Sequence, residues 1–386
     1  MRQAAAVALL LAGLTSGSIL EAQSWSAVEA AIQRGIRQRV YPGAVVVVGR
    51  RDTILYARGF GHLSWSGRSA RPDPGSTLWD LASLTKVVAT MSTAMVLVDR
   101  GLLDLATPVG RYLPPFGGGP DRDAVTVRML LDHTSGLPPY APLYRQATRE
   151  DALAVLATEP LERAPGLSAR YSDLNAILLG LVIEEVTGES LDLAAARLVF
   201  GPLGMGHTRF GVAPGDVRKT APSRVDRGAA VAGVANDLNA VRLGGIAGHA
   251  GLFATGRDLG RFAQGWLARG EGPGARWVSE ATLQLFLERS PQSGTRALGW
   301  DTPDTATVSM FGTMTHDGMV GHTGWTGTSL WIDPVQDLFV VFLTNRSLNQ
   351  HGRRSLHEIR LVRSEVADAA RRVAQGECLA LGGTGC

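Results

Sequence analysis

Segments with the pattern of β-strands lie near both ends of this 386-residue chain, and mostly helical patterns lie between them. Segments 43–49 and 53–57 near the start, and 327–333 and 337–343 near the end, are apolar, rich in β-branched residues and bounded by turn residues. From about 100 to 290 the pattern is mostly helical and is interrupted by loops rich in Pro and Gly. This order predicts one mixed domain whose sheet takes strands from both termini, with a helical region inserted between them.

Helices are predicted at the two ends of the domain and inside the insertion. Apolar spacing predicts them over 25–39, 83–101, 174–186, 258–267 and 355–374. The predicted fold class is therefore α/β of the α+β type, with a central antiparallel sheet flanked by terminal helices and an inserted, mainly helical region.

The first 22 residues have the pattern of a signal peptide. A positive start at Met1-Arg2 is followed by an apolar stretch from Ala4 to Leu14 and then by small and polar residues, with cleavage predicted near Ala22. The apolar stretch is too short to span a bilayer. This pattern predicts export to the periplasm or outside the cell, and no stable membrane span after the signal is removed.

The predicted divisions of the chain follow from these patterns. They are a signal peptide at 1–22, one mixed domain at 23–375 with its sheet part at about 23–80 and 291–375 and its helical part at about 81–290, and a Gly-rich tail at 376–386.

Composition excludes several classes of function. The net charge is only +3 and no run of Lys or Arg is present, so no nucleic-acid partner is predicted. No Cys-x-x-Cys or His-Glu-x-x-His spacing occurs, so neither a metal nor a cofactor is predicted. The two cysteines, Cys378 and Cys386, either form a small disulfide loop in an oxidising compartment or stay unpaired.

A serine and a lysine three residues apart begin the helical segment at 83. Residues Ser83 and Lys86 would share a helix face, and a serine nucleophile needs a nearby proton acceptor. The chain has two lysines against 36 arginines, and arginine does not release its proton at working pH. The alternative is a helix-capping serine beside a solvated lysine. The functional interpretation predicts that Ser83 is the nucleophile and that Lys86 is largely neutral.

A tyrosine stands directly before the helix predicted at 174–186, in the segment Tyr171-Ser172-Asp173. A phenol can transfer protons when a nearby cation lowers its pKa. The alternative is a buried tyrosine next to a helix cap formed by Ser172 or Asp173.

A histidine begins the segment His322-Thr323-Gly324, just before the strand predicted at 327–333. Glycine allows a backbone to approach a ligand closely. The alternative is a turn that leads into an edge strand.

Together and in this order, Ser-x-x-Lys, Tyr-Ser-Asp and His-Thr-Gly resemble the motifs of the penicillin-recognising serine hydrolases. That superfamily contains class C β-lactamases, D-alanyl-D-alanine carboxypeptidases and family VIII carboxylesterases. The resemblance covers about residues 25–370 and implies a β-lactamase/transpeptidase-like fold. Further similar phrases lie at 130–138, 201–205 and 343–346.

The resemblance also implies roles for the residues of the motifs. Ser83 would attack a carbonyl and become acylated, while Lys86 and Tyr171 would handle its proton and that of the leaving group. The backbone N–H groups of Ser83 and Trp325 would form the oxyanion hole.

Substrate binding is implied for the strand that carries the third motif. His322, Thr323 and Gly324 would line it, and the first two would hydrogen-bond a substrate carboxylate. This chain departs from the usual pattern at Asp173, where the family has asparagine. Two alternatives follow: Asn175 replaces the missing amide donor, or Asp173 only caps the helix.

The third motif usually starts with lysine, but here it starts with His322, which would be charged only below about pH 6.5. Both departures predict weak hydrolysis of β-lactams. Two further histidines stand in similar phrases: His133 is interpreted as structural, and His249 either lines the cleft or is structural.

The sequence thus predicts an exported serine hydrolase whose substrate is a small-molecule ester or amide or a peptidoglycan fragment. The leading substrates are cell-wall peptides or muropeptides and small carboxylic esters. The alternatives are a class C-like β-lactamase and a sensor that binds β-lactams or peptidoglycan without turnover.

Overall fold

A computed structural model of the chain describes residues 25–304, 309–349 and 353–376. The signal peptide predicted at 1–22 and the two cysteines of the predicted tail lie outside the described residues. The α-helices are α1 Ser26–Arg37, α2 Ser92–Asp99, α3 Val109–Tyr112, α4 Pro120–Asp123, α5 Val127–Leu131, α6 Arg149–Thr158, α7 Asp173–Thr187, α8 Leu191–Ala195, α9 Leu238–Arg242, α10 Gly256–Leu267, α11 Glu280–Leu287 and α12 Arg353–Ala374.

The strands are β1 Gly43–Gly49, β2 Ile54–Gly61, β3 Trp79–Asp80, β4 Arg209–Phe210, β5 Arg224–Asp226, β6 Ala229–Val231, β7 Leu252–Ala254, β8 Val320–Thr323, β9 Ser329–Asp333 and β10 Leu338–Thr344. Short 3₁₀-helices lie at Pro114–Phe116, Leu143–Arg145, Pro214–Lys219 and Arg346–Leu348, and π-helices lie at Lys86–Met91 and Ala196–Phe200.

Five strands form an antiparallel sheet in the order β2-β1-β10-β9-β8. Strand β1 from the start of the chain pairs with β10 from its end, so that Val46 lies opposite Phe342. Strands β9 and β10 form the predicted hairpin. The prediction of a central antiparallel sheet built from both termini is therefore confirmed.

Both faces of this sheet are covered. On one face, Val46 and Phe342 pack in a core that includes Ile32 of α1 and Val366 of α12. On the other face, Val47 belongs to a second core with residues of α10 and of the helical region. Because neither face meets water, β1 is apolar along its whole length instead of alternating between apolar and polar residues.

The helical region places two motifs side by side. The π-helix Lys86–Met91 continues into α2, and both pack against α7, whose first residue is Asp173. The small sheet β3-β7-β4 brings the strand just before Ser83 next to the loop that precedes β7. Within the described ranges, no helix combines the length and the apolar character needed to cross a membrane.

Candidate active site

Ser83 lies in the turn that connects β3 to the helical segment, and it is partly exposed. The residue before it, Ala82, has φ of 46°, a left-handed conformation that alanine rarely adopts. A buried carboxylate supports this turn, because the Ala82 N–H donates to Asp80 Oδ1 over 3.0 Å. Backbone conformations of this kind cost about 1–3 kcal/mol and persist where the surrounding structure enforces them, often at functional sites.

The segment after Ser83 differs from the regular helix that the spacing predicts. Lys86 begins a π-helix, and its N–H donates to the Ser83 carbonyl over 3.1 Å, as in a tight turn. The Lys86 side chain is buried and points back at the serine.

The ammonium of Lys86 has three acceptors around it. Its Nζ lies 3.0 Å from Ser83 Oγ, 2.7 Å from Asp173 Oδ1 and 3.2 Å from the carbonyl oxygen of His249. A protonated lysine has three N–H donors and no acceptor, so these oxygen atoms suit the charged amine.

These contacts determine the charge of Lys86. Burial by itself favours the neutral amine, but the negative charge of Asp173 and hydrogen bonds with Asp173 and Tyr171 outweigh it and raise the pKa of Lys86. The expectation of a largely neutral Lys86 is therefore wrong for the resting site. The reason is that this chain has a carboxylate where the family has an amide.

Two cationic side chains and two histidine rings lie around Tyr171. Lys86 Nζ and Arg296 Cζ each lie 4.9 Å from the centroid of its ring. The rings of His133 and His322 lie at centroid distances of 4.8 Å and 5.9 Å.

The phenol of Tyr171 is neutral at ordinary pH. Burial raises its pKa, and this effect outweighs the lowering by the charge of Lys86 and by hydrogen bonding with Lys86 and Ser83. The condition that the sequence analysis set for proton transfer by Tyr171, a pKa lowered by a nearby cation, is therefore not met in the net result. A neutral phenol is a proton donor.

Three polar residues at the start of α7 have different partners. Ser172 caps the helix, since its hydroxyl oxygen accepts an N–H from the first turn, and Asp173 faces Lys86. Asn175 is fully buried: its Oδ1 accepts from Ser135 Oγ over 2.5 Å, and its Nδ2 lies 3.1 Å from His133 Nδ1. The expectation that Asn175 donates to substrate is corrected, because both ends of its amide are used inside the protein.

His133 has the structural role that the sequence indicates. It has φ of 62°, and its Nδ1 accepts the Ser172 N–H over 3.2 Å, which ties its loop to the start of α7. Burial, followed by the charges of Arg296 and Lys86, lowers the pKa of His133 well below its usual value.

His322 is neutral and carries its proton on Nδ1. This nitrogen lies 2.9 Å from the carbonyl oxygen of Thr323, which can only accept a hydrogen bond. Burial, and then the charges of Arg296 and Lys86, lower the pKa of His322 well below its usual value. Two expectations are corrected: His322 does not become charged at about pH 6.5, and its buried Nε2 has no proton to donate to a carboxylate.

The turn after β8 is fastened to the strand that leads to Ser83. Thr326 Oγ1 donates to the carbonyl of Asp80 over 2.7 Å, and Thr328 Oγ1 donates to the carbonyl of Leu81 over 3.0 Å. A Cβ atom on Gly324 would collide with Thr328 Oγ1 and with the Leu81 carbonyl, so this position requires glycine.

Two backbone N–H groups remain available between these elements. Within the described part of the chain, the N–H groups of Ser83 and Trp325 donate to no protein acceptor. Both residues line the same cavity.

His249 combines both interpretations that the sequence left open. Its ring is buried, and Nε2 lies 2.8 Å from Asp237 Oδ1, while its carbonyl contacts Lys86. Burial alone would raise the pKa of Asp237, but hydrogen bonds from His249 and from the Ala240 N–H lower it to about 2. The side chain of His249 is thus anchored, and the residue also borders the cleft.

A cavity of about 890 Å³ brings these residues together. Of the predicted site residues, Ser83, Tyr171, Asp173, His322, Thr323, Gly324 and Trp325 line it, and Lys86 contacts Ser83 from the protein interior. Sequence reasoning missed Tyr140, Asn236, Asp237, Leu238, Arg296, Asp301, Arg360 and Arg363, which also line it. No group of three His, Cys, Asp or Glu side chains that could hold a metal ion occurs in the described ranges.

Comparison with known proteins shows the family of this chain. The family model named Beta-lactamase matches residues 28–364. The chain belongs to the β-lactamase family. A relative from Escherichia coli (strain K12), provisionally named D-alanyl-D-alanine carboxypeptidase, is 30% identical in an alignment of length 354, and the match covers 82% of this chain and 81% of the relative.

Two further proteins that are similar to this chain have names that describe other activities. The N-acetylmuramyl-L-alanine amidase of Bacillus subtilis (strain 168) is 31% identical in an alignment of length 341, and the match covers 79% of this chain and 77% of the amidase. The solved structure of EstCE1, a hydrolase with promiscuous acyltransferase activity, is similar in fold. Its TM-score is 0.68 at 24% identity, over 90% of this chain and all of that one. This member of the β-lactamase family is therefore a serine hydrolase with a β-lactamase/transpeptidase-like fold.

Proposed function

We propose that this protein cleaves an ester or amide through an acyl-enzyme on Ser83. The contact that supports this most directly is the 3.0 Å approach of Lys86 Nζ to Ser83 Oγ, beside two backbone N–H groups with no protein acceptor. Ser83 Oγ bonds to the carbonyl carbon, and the π electron pair of the C=O bond moves to the oxygen. The N–H groups of Ser83 and Trp325 donate hydrogen bonds to this negative oxygen. Collapse of this tetrahedral intermediate expels the alcohol or amine, and water then hydrolyses the acyl-enzyme.

The two proton transfers are assigned to different groups. Lys86 accepts the Ser83 proton after it has lost one of its own, because a fully protonated ammonium cannot act as a base. Tyr171, a neutral phenol, donates its proton to the leaving group. Asp173 holds Lys86 in place and also opposes its deprotonation.

For the substrate, we propose cell-wall peptides or muropeptides and small carboxylic esters. Tyr140, Leu238 and Trp325 are exposed large apolar side chains at the cleft, and they suit an acyl chain or a sugar face. Arg360 adds an exposed guanidinium at the rim, which suits a peptide carboxylate. The relatives' names, a carboxypeptidase and an amidase, support a cell-wall substrate.

We further propose that the protein is exported to the periplasm or outside the cell. The signal-peptide pattern of residues 1–22 supports export. Fusion of residues 1–22 to a reporter enzyme that is active only outside the cytoplasm tests this proposal. Reporter activity that is the same with and without the leader would contradict it.

A neutral short-chain ester is expected to be a better substrate than a cephalosporin. Asp173 offers no amide donor and His322 carries no positive charge, whereas a simple ester needs neither. At about pH 8 we expect kcat/KM for nitrophenyl butyrate to exceed that for a cephalosporin at least about a hundredfold, or about 2.7 kcal/mol.

The double variant Asp173→Asn, His322→Lys should narrow this gap by improving the cephalosporin more than the ester. Equal turnover of the two substrates by the unaltered enzyme would favour the class C-like β-lactamase. A burst of one product per enzyme without turnover would favour the sensor.

The activity is expected to rise with pH, and Asp173 is expected to set where it rises. Asp173 raises the pKa of Lys86, so the free amine that accepts the serine proton forms only as the pH increases. In Asp173→Asn the ascending limb of kcat/KM for nitrophenyl butyrate should move to lower pH by about one to three units.

Asp216→Asn is the control for this shift, because it removes a carboxylate that pairs with Arg209 outside the cleft. Its pH profile should match that of the unaltered enzyme. An ascending limb that stays in place in Asp173→Asn would show that Lys86 is not the titrating base.

A further inference from the structure

A buried arginine of the last helix supports the turn that carries Trp325. Arg363 of α12 is 7% exposed, and its Nη2 donates to the carbonyl oxygens of Gly324 over 3.1 Å and of Thr328 over 2.7 Å. These two carbonyls stand at opposite ends of the turn, which the Gly324 N–H closes by donating to Thr328 over 2.8 Å. One guanidinium therefore bridges the two ends of the turn.

The carbonyl of Gly324 and the N–H of Trp325 belong to the same peptide group. A cationic donor on the carbonyl draws electron density toward the oxygen, which makes the N–H of that group a stronger donor. The effect is larger in a site of low dielectric constant. Arg363 thus donates to the carbonyl of the peptide group whose N–H belongs to Trp325, a residue that lines the cavity together with Ser83.

The next peptide is held in a similar way. Arg346 Nε donates to the Trp325 carbonyl over 3.1 Å, its Cζ lies 5.0 Å from the Trp325 ring, and its Nη1 donates to Ser355 Oγ over 3.0 Å. Burial lowers the pKa of Arg346 to about 10 and that of Arg363 to about 9. Both guanidinium groups are therefore desolvated and still charged at pH 7.

We propose that Arg363 is a positioning residue of the oxyanion hole, which fixes the Gly324–Trp325 peptide and strengthens its N–H as a donor to the transition state. This proposal rests on the proposed function, because it requires that a negative oxygen forms next to the Trp325 N–H. Arg363 belongs to the terminal helix α12, which contains none of the three motifs.

The test compares Arg363→Met, Arg363→Lys and the control Arg371→Met. Arg371 lies on the same helix, is also buried and also donates to a backbone carbonyl, that of Met314, but outside the cavity. The substrate is nitrophenyl butyrate and the transition-state probe is butylboronic acid, whose serine adduct carries a negative oxygen. Neither has a carboxylate, so direct binding of a substrate anion by Arg363 does not contribute.

We expect Arg363→Met to lower kcat about tenfold to a hundredfold, below the loss of a whole oxyanion donor, with KM within about twofold. The affinity for butylboronic acid should fall by the same factor as kcat. Arg363→Lys should lose less on both measurements, because an ammonium still donates to one carbonyl. Arg371→Met should stay within about twofold of the unaltered enzyme on both.

Three results would overturn the proposal: a kcat of Arg363→Met close to that of the unaltered enzyme, a fall in kcat with unchanged boronate affinity, or an equal fall in Arg371→Met. If the methionine variant does not fold, Arg363→Lys is judged by the same comparison, with a fall of about threefold to tenfold expected. Failure of the proposed function gives a different result, namely that the unaltered enzyme shows no boronate binding that depends on Ser83.

Discussion

Replacing Ser83 with alanine is expected to lower kcat for nitrophenyl butyrate by a factor of about 10⁴ to 10⁶. The substitution removes the oxygen that forms the acyl-enzyme, which lies 3.0 Å from Lys86 Nζ. The unbonded N–H groups of the cleft stay in place, so a small residual activity over water is expected. The measurement is steady-state hydrolysis by the purified variant.

Ser92→Ala is the matched control for this result. Ser92 follows the same π-helix, and its buried hydroxyl donates to the Val87 carbonyl over 2.7 Å, away from the cleft. Its loss removes one hydrogen bond, which is worth about 1 kcal/mol of stability, and should leave kcat nearly unchanged. Near-normal hydrolysis by Ser83→Ala would show that another residue is the nucleophile.

Replacing Lys86 with arginine is expected to slow acylation by a factor of about 10² to 10⁴. Arginine keeps the positive charge opposite Asp173, so the ion pair can form again, but it does not release a proton at working pH. The loss therefore measures basicity and not charge. The measurement is the burst of nitrophenol in a stopped-flow experiment.

Lys219→Arg is the control, because Lys219 is the other lysine of the chain and is exposed at the end of a 3₁₀-helix. It should acylate at the normal rate. If Lys86→Arg also acylates at nearly the normal rate, the proton acceptor is a different group, and Tyr171 is the first candidate.

The parts of the fold that could be predicted are those whose burial leaves a pattern in the sequence. The segment predicted at 43–49 is β1 to the residue, because a strand covered on both faces is apolar throughout. The helix predicted at 174–186 is α7 within one residue at each end. The π-helix Lys86–Met91 was not predictable, since its apolar residues fit the spacing of an α-helix equally well.

The sequence predicted the motifs of the candidate site but not the protonation states of its side chains. Asp173 and Asn175 are two residues apart on a helix, so they face different directions, and only Asp173 reaches the cleft. The pKa values of Lys86 and Tyr171 depend on a carboxylate 2.7 Å from the amine, a distance that no spacing in the sequence contains. Arg363 belongs to no motif, because its partners are backbone carbonyls 39 and 35 positions earlier in the chain.

Covalent labelling tests the central claim most directly. The protein is treated with a neutral nitrophenyl phosphonate, and its intact mass and peptide map are measured. The account predicts one phosphonyl group per chain, located on the peptide that contains Ser83, and no label on Ser83→Ala. A label that persists in Ser83→Ala, or that lies on another residue, would contradict the assignment of Ser83 as the nucleophile.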